Sequence, residues 1–70
     1  MSNGSDLAEL STLRTQIEEL TTRVLAVADH YEGTQDSAVA GDLFGVERAL
    51  VTARRALDRA TDSLARLDRG

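Results

Sequence analysis

The sequence predicts an all-α fold: an antiparallel two-helix hairpin, coiled-coil-like, that dimerises into a four-helix bundle. Three observations predict it. Apolar residues recur at alternating spacings of three and four along two long runs. Proline is absent and aromatics are reduced to one Phe and one Tyr, while Ala, Leu, Arg, Glu and Asp dominate. The two runs are separated by a break at Gly33, a residue suited to end a helix.

Residues 1–5 read as a flexible N-terminal tail, with Ser5 or Asp6 as N-cap of the first helix. A short polar side chain there accepts a hydrogen bond from an otherwise unpaired N–H group. The first helix is expected over about 6–32. Its apolar residues are Leu10, Leu13, Ile17, Leu20, Val24, Val27 and Tyr31, which places them on one seam at heptad positions a and d. Gly33 stops the helix, since the left-handed conformation brings glycine no Cβ clash.

After a turn at about 33–36, the second helix is expected over about 37–68, so that residues 6–69 form one hairpin domain. Its seam runs Val39, Leu43, Val46, Leu50, Ala53, Leu57, Ala60, Leu64 and Leu67. Ala53 and Ala60 let the helix axes approach, and Leu13, Ile17, Leu20 and Val24 fill the space they leave. Two starts are compatible with the residues. Thr34 or Asp36 caps the helix after a tight turn, or Asp42 caps it after a longer loop. The tight turn is preferred because Val39 keeps the heptad register. It places Gly41 and Gly45 inside the helix, at about 1 kcal/mol each.

A chain of 70 residues has difficulty burying enough apolar surface to offset its conformational entropy. Cysteine is absent, which removes disulfides and thiolate metal sites. Association with another chain is therefore expected, and the partner expected first is a second copy. The net charge is −4, and residues 1–42 hold two Arg against eight acids. Residues 43–70 hold six Arg against four acids, an arrangement that favours antiparallel helices. An acidic chain with mixed-sign helices offers no footprint for nucleic acid. No segment approaches the roughly 18 apolar residues of a membrane span, and the first residues carry neither the positive charge nor the apolar run of a secretory signal. No membrane association and a cytoplasmic location are the expectations. All eight basic residues are Arg, a usage typical of a GC-rich bacterial genome.

Four apolar residues lie off the seam: Leu25 and Ala28 on the first helix, Phe44 and Val51 on the second. Positions b and e of both helices share one flank of an antiparallel pair, so these four form a patch near the turn. Two readings compete. The patch docks a second copy or another protein, or Phe44 folds over the turn and caps the hairpin's own core. Docking is preferred, because a homodimer gives such hairpins a second buried face.

The residues of reactive type do not converge. His30 is the sole histidine and reads as a surface residue favoured by the helix C-terminal dipole. Glu18 and Glu19 are adjacent and point to different faces. Asp58 and Asp62 sit among Arg54, Arg55, Arg59 and Arg66 and read as a solvated ion-pair ladder. Gly41-x-x-x-Gly45 is neither a P-loop nor a dinucleotide fingerprint. No catalytic residue, metal site or cofactor is expected. The function expected is a non-enzymatic interaction or assembly module, a self-associating helical hairpin. The alternative is a small regulator or adaptor that binds another protein in trans, of the anti-sigma or antitoxin kind. A metal or small-molecule binder in a bundle core ranks last.

Overall fold

A computed structural model describes residues 3–69 of the chain. Helix α1 spans Gly4–Tyr31 and helix α2 spans Ser37–Arg69, and the two pack against each other as a hairpin. The first helix starts two residues ahead of the expected cap: the Leu7 N–H donates to the Asn3 carbonyl at 2.9 Å. Of the expected tail, Met1 and Ser2 lie outside the described residues, as does Gly70 at the other end. Five threonines stand in the helices with their hydroxyls donating to the carbonyl four residues back, among them Thr21 to Ile17 at 2.8 Å and Thr61 to Leu57 at 2.9 Å. These bonds satisfy hydroxyls that would otherwise compete with the helical ladder.

The turn is the short one, and Thr34 organises it. Gly33 takes φ +76°, the left-handed conformation that L side chains avoid. The Thr34 hydroxyl donates to the Tyr31 carbonyl at 2.6 Å and accepts from the Asp36 N–H at 3.1 Å. The Ser37 N–H donates to the Thr34 carbonyl, and the Val39 N–H to that of Asp36. Helix α2 then runs unbroken through Gly41 and Gly45. A paired substitution separates the two roles of glycine here. At both Gly33 and Gly41 an added Cβ meets nothing within 4 Å. Gly33→Ala keeps only the left-handed strain and is expected to destabilise by about 1 kcal/mol. Gly41→Ala gains helix propensity and is expected to stabilise by about 1 kcal/mol. Thermal melts at one fixed protein concentration should move about 4–8 °C in opposite directions.

An ion pair bridges the two helices. Arg14 Nε donates to Asp58 Oδ1 at 2.7 Å and Arg14 Nη2 approaches Oδ2 at 3.4 Å, a forked contact between the helices. Arg14 Nη1 also donates to Glu18 Oε1 at 2.7 Å. The hydrogen bond to Asp58 comes first, and the charges of Asp58 and Glu18 follow, in raising the Arg14 pKa above its ordinary value. The expected acid-to-basic complementarity is thus met in the opposite sense, by an Arg of α1 and an acid of α2. Among the described residues Asp58 pairs across the hairpin with Arg14, and not within a ladder of α2 arginines.

The fold is a rod, with Cα extents of 56 × 15 × 9 Å. Its radius of gyration is 16.3 Å, against about 11 Å for a compact domain of this length. A two-layer arrangement of this kind has little interior. Among the described residues only Ala28 and Ala40 are buried, at 0% and 2% exposure, and no large side chain is fully enclosed.

The contact face differs from the expected seam by a roll of each helix. On α1 the less exposed positions are Leu7, Leu10, Arg14, Ile17, Thr21, Val24, Leu25 and Ala28. On α2 they include Ala40, Leu43, Phe44, Leu50, Val51, Arg54, Leu57, Asp58, Thr61 and Leu64. These are heptad positions a and e, with b from the shared flank, where a and d were expected. The physical reason is the width of the apolar stripe. Near the turn positions a, b, d and e are all apolar, and two helices cannot enclose both flanks of so wide a surface. Ala28 and Ala40 at e are buried on the closed flank, and the Arg14–Asp58 pair bridges the same flank further along.

Candidate functional site

The roll toward the b/e flank leaves the d row uncovered on the other. Leu13, Leu20, Val27, Tyr31, Val39, Val46 and Leu67 all remain exposed, from 37% at Leu13 to 71% at Leu67. Every one of them belongs to the expected seam. Ala53 and Ala60, also expected in the seam, are exposed on the same row of α2, with Ala49 and Ala56 beside them. The remaining seam residues, Leu10, Ile17, Val24, Leu43, Leu50, Leu57 and Leu64, are half-buried between the helices.

The patch expected to dock a partner is placed elsewhere. Ala28 is fully buried within the hairpin, and Leu25, Phe44 and Val51 are half-buried on the flank where the helices close. The competing reading, in which Phe44 covers the chain's own core, describes their position better. The placement has a simple cause: a patch that both helices share on one flank is first available to the hairpin itself, because intramolecular contact carries no association entropy.

Between the helices, on the uncovered flank, lies an open groove of about 600 Å³ lined by Leu13, Gln16, Ile17, Leu20, Ala53, Ala56 and Leu57. Gln16 is its one polar side chain. A shallower depression of about 250 Å³ continues toward the turn, lined by Leu20, Arg23, Val24, Val27 and Leu43. Leu20 belongs to both. The flank is therefore one apolar strip that runs along much of the rod, rimmed by Arg23 on one side. A depression of about 460 Å³ lined by Thr15, Glu18, Glu19, Thr22 and Arg23 lies on α1 alone, and it has no convergent reactive groups.

The polar residues singled out in the sequence stay on the surface. His30, Glu18, Glu19 and Asp62 are exposed. Among the described residues no group of three or more His, Cys, Asp or Glu is placed to hold a metal ion, and no helix is long and apolar enough to cross a membrane. Two arginines at e positions stand on the contact flank and not on a solvated face. Arg14 carries the interhelix ion pair, and Arg54 lies on the contact flank with its Nε buried and without a hydrogen-bond partner. A polar residue at e, on a face assumed to be solvated, gives no signal by hydropathy alone; only the register reveals it. Compared with protein families, curated proteins and solved structures, the chain matches none.

Proposed function

We propose that this chain is a non-enzymatic interaction module that associates with a second copy through the uncovered d-row flank, to form a four-helix bundle. The observation that carries the reading is the row of exposed Leu and Val side chains, with Tyr31, on a hairpin that encloses no large side chain of its own.

Area supports it. The chain exposes 5109 Å², whereas a compact monomer of 7.5 kDa exposes about 4,200 Å². The surplus, roughly 900 Å², is close to the ~800 Å² that each partner contributes to a standard interface. A flank made of one strip from each helix is also suited to self-contact, since an isologous interface uses the same surface twice. Burial of the d rows would give the chain the core that the lone hairpin lacks.

The test is the solution mass across a dilution series, with helicity followed on the same samples. Self-association predicts about twice the 7.5 kDa chain mass at high concentration, and a loss of helicity where the mass falls. A fully helical monomer at every concentration would overturn it.

A further inference from the structure

The exposed apolar row is symmetric along the rod. On α1 it runs Leu13, Leu20, Val27, centred on Leu20. On α2 it runs from Val39 through Val46, Ala53 and Ala60 to Leu67, centred on Ala53. The two centres line the same groove, near the middle of a hairpin whose helices cover Gly4–Tyr31 and Ser37–Arg69.

We propose that the second copy docks on this flank with its rod reversed, about a two-fold axis at the level of Leu20 and Ala53. The inference rests on the self-association reading above and adds the direction and register of the partner. A reversed copy lays α1 against α1 and α2 against α2. Leu20 then meets its own counterpart, and Leu13 meets Val27. On the other helix Ala53 meets its counterpart, Val46 meets Ala60, and Val39 meets Leu67. Each of these d-row residues meets an apolar one, Tyr31 falls outside the matched set opposite Glu9, and the alanines at the centre of α2 let the backbones approach.

Hydropathy alone does not exclude the other two-fold arrangement, in which the rods run the same way and α1 faces α2. Charge separates the two. Residues 24–46, which form the turn end of the rod, contain four acids and no Lys or Arg. The remainder of the chain holds eight acids and eight Arg, so the turn end carries the whole net charge of −4. Rods that run the same way would place two such ends side by side. Reversed rods set them at opposite ends of a structure 56 Å long. At about 0.01 M salt the screening length is about 30 Å, so repulsion between adjacent turn ends is felt in full.

The experiment is a distance between spin labels. The chain has no native Cys, and Gln35 is an exposed turn residue, so Gln35→Cys carries one label per chain without disturbing either helix. With a rise of 1.5 Å per residue and the axis at Leu20, the labels of a reversed pair stand about 45 Å apart. Rods that run the same way bring them within roughly 20 Å, the scale of adjacent helices plus the label arms. The labelled protein is measured in low salt at a concentration where its mass is that of a dimer. A distribution centred near 45 Å supports the proposal. A distribution centred near 20 Å overturns the reversed arrangement and leaves self-association standing. A labelled protein that stays monomeric at all concentrations, with helicity intact, overturns both.

Discussion

Leu20→Asp is expected to abolish self-association at concentrations where the parent chain is dimeric. In the lone hairpin Leu20 is 45% exposed, and a surface substitution there would cost within about 0.5 kcal/mol beyond the modest difference in helix propensity. In the proposed dimer the same residue lies at the two-fold axis and is counted twice. Each copy loses roughly 1 kcal/mol of apolar burial, since Leu20 is already about half covered in the lone hairpin, and each Asp must be desolvated beside its counterpart of like charge. A loss of at least about 3 kcal/mol follows, a hundredfold or more in the dissociation constant. Glu18→Ala, on the other flank, should leave the mass unchanged. The observable is the mass at a fixed concentration, compared between the two variants.

The second large effect concerns folding of the hairpin. Ala28 is 0% exposed and Ala40 is 2% exposed, the two residues that the hairpin encloses near the turn. Ala28→Leu puts three further carbons where no space is left. Overpacking of this kind costs about 1–3 kcal/mol, a large share of the stability of so small a chain. The thermal midpoint should fall by roughly 4–24 °C, at a protein concentration held constant. Ala26→Leu, at an exposed position of the same helix, should change it little. The two substitutions thus separate two surfaces. Ala28→Leu forces the hairpin apart on its closed flank, and Leu20→Asp acts on the open flank, where the partner docks.

The two helices and the turn were legible because each rests on local chemistry. Apolar spacings of three and four define a helix face over many turns, and a glycine at Gly33 marks a left-handed stop without reference to anything distant. The roll of the helices was not legible, and the reason is specific. Leu25, Phe44 and Val51 widen the apolar stripe at b, while Leu13, Leu20, Val39 and Val46 widen it at d. Periodicity reports that both flanks are apolar. It does not report which one the hairpin closes. That choice is made by tertiary contacts, the burial of Ala28 and Ala40 and the forked Arg14–Asp58 pair. Residues 14 and 58 are far apart in the chain, and their pairing depends on a register that the seam alone leaves open. With the b/e flank taken up internally, the d row is left exposed, and in the proposed dimer the residues read as core become the surface that meets the partner.

This reversal gives the structure its economy of description. Among the described residues the hairpin encloses only Ala28 and Ala40, and it leaves a continuous apolar strip on its open flank. The strip, the surplus area and the symmetric spacing about Leu20 and Ala53 are three consequences of the same roll.

The measurement that bears most directly on this account is the solution mass of the parent chain and of Leu20→Asp, side by side at one concentration and with helicity recorded. The account predicts about twice 7.5 kDa for the parent and a mass near 7.5 kDa for the variant. Equal masses for the two proteins, both monomeric or both dimeric, would contradict the assignment of the d-row flank as the surface on which the chain meets its partner.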